Sequence, residues 1–326
     1  IGAFDKSELR RLETDGSVGS GNAFISTSIR RFQVRTGMDD ETARFMACSL
    51  RFLMTVRRTG AWRIFTLSSP IRSNIKPAIL DTLIPLRSFT ELYRLTDRNR
   101  RIGEMFSSIA PRYDFLNRLL SLGVDRRWRR LAVAETVPSA GGRFLDVATG
   151  TADMALEILR QKGSGASVAG ADISLAMMRI GKDKCANTVG AGRVFFVLAP
   201  GEALPFRDAS FDSACVAFGI RNVVDRERGL REMCRAVRPG GRVVVLEFSS
   251  PPGTVFGALY RFYFRSVLPR IGGIFSRGSA YAYLPESVLA FPEPPAFAEM
   301  MRDAGCVTVT HRPLTFGIVT LYVGVR

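Results

Sequence analysis

A short turn with one glycine, FLDVATGTAD at residues 144–153, carries residue types that could bind a nucleotide. Gly150 permits a tight turn and a close backbone approach to a ligand, and the start of the helical pattern that follows directs free N–H groups at that ligand. Ala152 stands where the dinucleotide fingerprint G-x-G-x-x-G has its second glycine. The turn therefore favours a nucleoside with an amino-acid tail over a pyrophosphate, and a turn without a ligand is the alternative.

A second acidic residue supports the nucleoside interpretation. Asp172 ends the next apolar run, and a carboxylate at such a strand end accepts hydrogen bonds from ribose hydroxyls in Rossmann proteins. The alternative is that Asp172 stabilises the start of the helix that Ser174 caps. The two acidic strand ends together favour a ligand site at the carboxyl edge of a sheet.

The elements that would position these residues alternate along the chain. Five apolar runs of strand length lie at 143–148, 168–172, 194–198, 211–218 and 242–247, with helical patterns between them, including 174–186 and 225–237. Two further strands, 307–312 and 317–323, follow a helix at 296–304. This alternation predicts a doubly wound α/β sheet with parallel strands.

Three more helices are predicted ahead of the first strand. They span 101–110, 115–120 and 125–137, the first two separated by Pro111 and the third ended by Pro138. The helix at 225–237 is predicted to stop at Pro239-Gly240-Gly241.

Composition limits the function classes. Five cysteines are scattered singly and the chain has one histidine, His311, which we expect to be structural on an outer strand. A zinc site or disulfide framework is therefore not expected, and a cytoplasmic setting is. We expect no membrane-spanning helix. The net charge of +16 suits an anionic partner (nucleic acid, membrane surface or polyanionic metabolite) or a solvated basic surface.

Residues 1–94 differ in their sequence pattern from the rest of the chain. They mix broken apolar patterns with arginine pairs and Ser/Thr, and they show no clear helix caps. We predict a basic extension over 1–94 and one domain over 95–326. The extension is a small helical addition, a partner-binding arm, or translated sequence upstream of a true start near Leu95.

Several segments of residues 95–326 resemble one enzyme family. They are MFSSIAPRYDFLNRLLSLGVDRRWRR at 105–130, FLDVATGTAD, GADIS at 170–174, PGEALPFRDASFD at 200–212, FGIRNVVDRERGLREMCRAVRPGGRVVVLEFS at 218–249 and YAYLPES at 281–287. In this order they resemble the ubiquinone/menaquinone biosynthesis C-methyltransferases, which use S-adenosylmethionine. The resemblance implies a class I methyltransferase fold: a Rossmann-like, seven-stranded, mostly parallel sheet with helices on both faces and an antiparallel last strand.

The resemblance also implies which residues bind the cofactor. Gly150 and Thr151 would hold the methionine end, in a loop that follows Asp146, and Asp172 would hold the ribose. Pro200 and Gly201 would flank the adenine, although Pro200 lacks an N–H that other members offer. Ala217 replaces a serine of some members. The cofactor-binding prediction comprises Asp146, Gly150, Thr151, Asp172, Pro200, Gly201 and Ala217, with no metal.

Methylation of a hydroquinone ring carbon needs electron density from an ionised hydroxyl of phenol type, whose pKa is about 10. Arg221 could stabilise that phenolate and Asn222 could orient the ring oxygen, or Arg221 could pair with Asp225 or Glu247. Asp153 is the candidate base, directly or through water; its alternative role is a carboxylate in the first turn of a helix.

Three residues of RYDFLN are predicted to cap the site. Tyr113, Asp114 and Asn117 would close over cofactor or quinol and exclude water. A helix cap with a packed aromatic ring is the alternative.

The expected substrate is a prenylated quinol, namely demethylmenaquinol, with the related benzoquinol of the ubiquinone pathway as the alternative. Residues 255–277 alternate aromatic and basic side chains, which suits an amphipathic helix, either a lid or a peripheral contact with the inner face of the membrane. Gly219-Ile-Arg-Asn222 disfavours a nucleic-acid methyltransferase, so we expect no nucleic-acid partner. A non-catalytic nucleotide-binding scaffold and an oligomer stay open.

Overall fold

The computed structural model describes residues 97–138, 140–249, 251 and 286–326. The predictions for residues 1–94 and 255–277, and most of the YLPES segment, lie outside the described residues. All statements below concern the described part.

Seven strands form one sheet in the order β3-β2-β1-β4-β5-β7-β6. Their bounds are β1 Gly142–Val147, β2 Ala166–Asp172, β3 Val194–Leu198, β4 Phe211–Ala217, β5 Val237–Phe248, β6 Thr308–Leu314 and β7 Val319–Val325. The strands from β3 to β5 pair in parallel, and β7 pairs antiparallel with both β5 and β6. The predicted fold class is confirmed, including the antiparallel last strand.

Six α-helices of ten or more residues accompany the sheet in the described part of the chain. They are α1 Asp97–Leu120, α2 Asp125–Ala134, α3 Asp153–Lys162, α4 Leu175–Ala186, α5 Arg226–Ala236 and α6 Pro294–Asp303. Helices α2 and α3 contact each other, as do α5 and α6. Because parallel crossovers are right-handed, the reversal of strand order at β1 and β4 places α3 and α5 on opposite faces. None of these helices is long and apolar enough to cross a bilayer.

The sheet is the centre of the core. Every residue of β2 is buried, as expected for a parallel strand covered on both faces. The main apolar cluster joins the sheet to α2 and α3 through side chains such as Trp128, Phe144, Ile158 and Leu246. These strands are therefore a rigid base for the loops at their carboxyl ends.

The prediction of two short helices separated by Pro111 is wrong. One helix, α1, runs through Pro111. Apolar side chains on both sides of the proline, Ile109 and Leu116, pack with Met177 of α4 in one cluster. We attribute the continuity to this shared burial, which offsets the hydrogen bond that proline cannot donate.

Two other boundaries also differ from the prediction. Helix α2 ends at Ala134 and α5 at Ala236, both before the proline that was expected to stop them. The Pro239-Gly240-Gly241 stretch lies inside β5, in an irregularity where Phe211 pairs with Val237 but Ser213 pairs with Arg242. A Cβ on Gly241 would lie 2.4 Å from the Asp212 carbonyl oxygen, so the backbones approach too closely for a side chain.

Replacement of Pro111 by alanine tests this description of α1. In a helix interior, proline is about 3 kcal/mol less favourable than alanine. About 1 kcal/mol of this difference is offset because alanine leaves the unfolded chain with more conformational freedom. We expect P111A to raise the free energy of unfolding by about 1–3 kcal/mol in urea titration. Glu104→Ala, an exposed change on the same helix, should stay within about 0.5 kcal/mol. A destabilising P111A would mean that α1 is not continuous.

Candidate active site

A cleft opens at the carboxyl ends of β1, β2 and β4, under α1. Its lining comprises Asn99, Ile102, Phe106, Tyr113, Val147, Ala148, Gly150, Asp172, Ile173, Met177, Ala199, Gly201, Glu202, Ala217, Phe218, Gly219, Asn222 and Val223. The cleft therefore lies where strand order reverses, the usual ligand position in open α/β sheets.

The cleft brings together six of the predicted site residues. Tyr113, Gly150, Asp172, Gly201, Ala217 and Asn222 line it. The other five, Asp146, Thr151, Asp153, Pro200 and Arg221, lie outside this lining, so any effect they have on a bound ligand is exerted from a neighbouring position.

The loop after β1 has the geometry expected of a ligand cradle. Gly150 has φ +54°, and no heavy atom beyond its chain neighbours lies within 4 Å of a Cβ built there. Ala152 also has a left-handed conformation, φ +66°, immediately before α3. The loop thus leaves open space beside its glycine.

Asp146 supports this loop from below. Its side chain is buried, and the Thr149 hydroxyl donates a hydrogen bond of 2.6 Å to Asp146 Oδ2. Burial raises the pKa of Asp146 to about 7, although the Thr149 hydrogen bond lowers it. Asp146 therefore positions the loop and titrates near neutral pH.

Asp172 connects the loop to the next helix. Its Oδ2 accepts a hydrogen bond from the Gly150 N–H at 2.8 Å, and its Oδ1 accepts one from the Ser174 N–H at 2.7 Å. Ser174 caps α4 as predicted, accepting a hydrogen bond from the Met177 N–H. Burial raises the pKa of Asp172, and the backbone donors oppose that rise. The alternative role, support of the helix start, thus coexists with a position in the cleft lining.

The segment after β3 forms another wall. A Cβ on Gly201 would contact Val147 Cγ1 at 3.3 Å and Val223 Cγ2 at 3.4 Å, so a larger residue would crowd the wall. Glu202 is buried, and its Oε1 accepts hydrogen bonds from the N–H groups of Val224 and Asp225 at 2.8 and 3.3 Å. Glu202, which the sequence analysis missed, holds this wall to the segment that follows Asn222.

Arg221 forms the ion pair that was one of its alternatives. Its Nη1 lies 2.7 Å from Glu247 Oε1 and donates to the Phe218 carbonyl at 2.6 Å. Asp225, the other candidate partner, instead accepts a hydrogen bond from the Arg228 N–H at the start of α5. Arg221 is therefore held at the end of β5, behind the cleft lining.

Asn222 offers an unused acceptor. It lines the cleft, and its buried Oδ1 has no hydrogen-bond partner among the residues that the structure describes. A buried polar atom without a partner costs about 1–3 kcal/mol. The arrangement therefore suits a ligand that donates a hydrogen bond.

Tyr113 is placed by α1 at the cleft wall. Burial raises the pKa of Tyr113, while a hydrogen bond from Asn117 and the charges of Arg221 and Arg129 lower it. The Tyr113 hydroxyl thus lies within the electrostatic influence of both arginines, and Asn117 orients it within the same helix.

Asp153 belongs to a polar cluster outside the lining. Lys184 Nζ contacts Asp153 Oδ1 and lies 2.8 Å from Asp114 Oδ2, and the Thr151 hydroxyl donates to Asp114 Oδ1 at 2.5 Å. Burial raises the pKa of Asp153, but the positive charges of Arg129 and Lys184 outweigh this effect and hold the pKa below its usual range. The cluster ties α1, α3 and α4 together, and it leaves Asp153 a weak base.

The sequence analysis missed Lys184 and Arg129. No motif marks Lys184, which acts across three elements. Arg129 had a readable signal, because Asp125, Trp128, Arg129 and Ala132 share one helical face at spacings of three and four residues. All four are buried in α2. The charged residues Asp125 and Arg129 share a helical face with apolar residues, and this pattern indicated that the ion pair between them is buried.

The titration of Asp146 has a consequence for stability. Because its pKa is raised on folding, the native state favours the protonated form, and stability falls as pH rises from about 4 to 7. We expect Asp146→Asn to remove this pH-dependent loss of stability. The free energy of unfolding at pH 8, relative to that at pH 4, should then be about 2–4 kcal/mol higher in the variant than in the wild type. Urea unfolding at both pH values measures it. Asp208→Asn, at an exposed carboxylate, is the matched control, and equal pH dependence in all three proteins would contradict the burial of a titrating Asp146.

Comparisons with known proteins agree with this geometry. The model of the ubiE/COQ5 methyltransferase family matches residues 94–326. The ubiquinone/menaquinone biosynthesis C-methyltransferase UbiE of Geobacter sulfurreducens is 56% identical over 233 residues, which are 72% of this chain and 91% of that protein. The demethylmenaquinone methyltransferase of Deinococcus radiodurans is 50% identical over 70% of this chain and 93% of its own length.

A solved structure shares the fold. A SAM-dependent methyltransferase from Thermotoga maritima superposes with a TM-score of 0.50, covering 69% of this chain and 99% of that one, at 19% sequence identity. At this identity the likeness concerns the fold alone. The predicted resemblance is confirmed by the family match and the identity to the curated relatives: the chain belongs to the ubiE/COQ5 methyltransferase family.

Proposed function

We propose that the chain transfers a methyl group from S-adenosylmethionine to a ring carbon of a prenylated quinol in quinone biosynthesis, converting demethylmenaquinol to menaquinol. The observation that carries the proposal is the cleft of this family member, where Asp172 and Gly150 lie in the same lining as the unpartnered Asn222 Oδ1. The benzoquinol of the ubiquinone pathway is the second candidate substrate, because the name of the Geobacter relative includes both pathways.

The lining fits S-adenosylmethionine. Both carboxylate oxygens of Asp172 accept backbone N–H groups, and the carboxylate still has acceptor capacity for a ribose hydroxyl. Gly150 leaves open space for the methionine end. Gly201 and Ala217 line the wall proposed for the adenine. When bound, S-adenosylmethionine supplies a methyl group already activated by the sulfonium.

Thr151 and Pro200 contribute less directly in this arrangement. The Thr151 hydroxyl is committed to Asp114, so Thr151 would reach the cofactor through its backbone. Pro200 has no N–H to offer. We propose that both residues shape the loops on which Gly150 and Gly201 lie.

At the substrate end, this chain's residues would orient and polarise the ring hydroxyl. Asn222 Oδ1 accepts its hydrogen bond, Arg221 adds positive charge from behind the lining, and Tyr113 closes the wall and excludes water. Asp153 is the proposed proton acceptor. Its ion pair with Lys184 and its place outside the lining favour a route through water.

A turnover assay tests the proposal. The full chain is incubated with S-adenosylmethionine and either a demethylmenaquinol or a demethylated benzoquinol analogue, and the methylated product is detected by mass spectrometry. We expect methyl transfer to the naphthoquinol, and faster transfer to the benzoquinol would reverse the substrate choice. Binding of S-adenosylmethionine with transfer to neither ring would leave the scaffold alternative instead of the enzyme.

Two substitutions separate cofactor binding from chemistry. We expect Asp172→Ala to weaken S-adenosylmethionine binding by about tenfold or more, since it removes a buried acceptor of hydroxyl and backbone donors. Arg221→Lys should lower kcat by about tenfold or more with cofactor affinity within about threefold. Calorimetric titration gives affinity and steady-state kinetics give kcat. Equal effects of both variants on both quantities would refute this division of roles.

A further inference from the structure

Two arginines enclose a pair of aromatic rings at the floor of the cleft. Phe218 lines the cleft, and its ring lies against that of Phe248 with centroids 4.7 Å apart. The Arg129 guanidinium lies 5.4 Å from the centroid of Phe218, and the Arg221 guanidinium lies 5.4 Å from that of Phe248. Both contacts are within the range of cation–π attraction.

Both arginines are buried with a single carboxylate each. The side chains of Arg129 and Arg221 are 8% and 7% exposed. Arg129 Nη1 pairs with Asp125 Oδ2 at 2.5 Å, and Arg221 Nη1 pairs with Glu247 Oε1 at 2.7 Å. The Nε of each has no hydrogen-bond partner among the described residues. Buried ion pairs with unsatisfied donors are poor stabilisers compared with apolar side chains, so packing alone does not account for these two cations.

Both arginines interact electrostatically with Tyr113 of the cleft lining. After burial and the Asn117 hydrogen bond, the largest effects on the pKa of Tyr113 come from Arg221 and Arg129, which lower it, and Asp172, which raises it. The paired carboxylates have other partners as well: Asp125 accepts a hydrogen bond from Ser121 at 2.9 Å, and Glu247 raises the pKa of Tyr322 on β7.

The groups that interact electrostatically with Arg129 come from several elements. They are Asp125 on α2, Tyr113 on α1, Asp146 on β1 and Asp153 at the start of α3. The same groups also interact with Arg118 on α1, Lys184 near the end of α4, Asp172 on β2, and Arg221, which follows β4 and pairs with Glu247 in β5. Arg129 lowers the pKa of Tyr113, Asp146 and Asp153 alike. The positive charge of Arg129 therefore favours the ionised form of several groups in and around the cleft.

We infer that Arg129 is a positioning residue of the methyl-transfer reaction, which acts through Phe218: it holds this ring at the cleft floor and places a buried positive charge behind it that favours the ionised hydroxyl of the substrate ring. The inference rests on the proposed function. In that reaction the ring hydroxyl would lose its proton to water or Asp153, and the electron pair left on oxygen would raise the electron density of the ring carbon. That carbon would form a bond to the methyl group of S-adenosylmethionine as the S–CH3 bond breaks and S-adenosylhomocysteine leaves, and it would then lose its own hydrogen as a proton to water. Arg129 and Arg221 stabilise the same negative charge from two sides of the aromatic pair.

Two substitutions of one ion pair separate this charge effect from a structural one. Arg129→Met removes the positive charge and keeps most of the side-chain volume, whereas Asp125→Asn leaves Arg129 charged and removes its neutralising partner. Both break the same ion pair. Arg129→Lys retains the charge, and Arg127→Met removes a positive charge at an exposed position of the same helix.

The first measurement is the pH profile of kcat with saturating S-adenosylmethionine and the demethylmenaquinol analogue. We expect the rise of kcat with pH to move up by about one pH unit in Arg129→Met, which is about a tenfold loss below the midpoint. Asp125→Asn should move the rise down, Arg129→Lys should restore most of the wild-type profile, and Arg127→Met should leave it unchanged. Shifts of R129M and D125N in the same direction, or a loss of kcat without a shift, would overturn the inference.

The second measurement needs no substrate and keeps the inference separate from the proposed function. Tyrosines are replaced by 3-fluorotyrosine, whose lower pKa brings the titration into an accessible range, and the ¹⁹F signal of Tyr113 is assigned with Tyr113→Phe. We expect its midpoint to rise in Arg129→Met and fall in Asp125→Asn. If these shifts occur in a protein that methylates neither quinol, the proposed function fails but the electrostatic effect of Arg129 behind Phe218 is supported. If the midpoint of Tyr113 is unchanged in both variants, the inference itself is overturned. If R129M does not fold, the downward shift expected in D125N carries the test, with R129K as the variant expected to show no shift.

Discussion

The carboxylate of Asp172 is the contact on which the rest of the cleft depends. It lies at the end of a fully buried strand and accepts one N–H from the loop after β1 and another from the start of α4. These two hydrogen bonds fix Gly150 relative to the strand that follows it. Because a carboxylate can accept more hydrogen bonds than these two, the same group that shapes the loop can also bind a ligand.

Charge is distributed unevenly around this contact. In the described part of the chain, the cleft lining includes the buried carboxylate of Asp172, Asp146 lies buried below the neighbouring loop, and buried arginines lie behind the aromatic floor. Burial raises the pKa of both carboxyl groups, so a cation bound nearby would favour their ionised forms. The arginines favour negative charge nearby, such as that of an ionised ring oxygen.

The order of elements and the acidic strand ends could be predicted because both follow from local patterns. The apolar run at 194–198 predicted β3 with the bounds that the structure shows, Val194–Leu198, where the strand pairs with β2. Ser174 could be predicted as a helix cap from its residue type. The continuity of α1 was not predictable, since it depends on Met177, more than sixty residues away in the chain. The same holds for Lys184, whose partners come from other elements. For Arg221 the sequence offered Glu247 as one of two partners, and only the tertiary structure decides between them. Sequence patterns thus identify which residues end strands, whereas tertiary contacts decide which of them face the ligand.

The proline within α1 has a consequence for how ligands enter. Residues from both of its sides, Phe106 and Tyr113, line the cleft, so the wall over the site contains a turn that lacks one backbone hydrogen bond. Such a turn opens at a lower free energy than the strands beneath it. Bending at this one turn would therefore widen or narrow the cleft without any change in the sheet that carries the other lining residues.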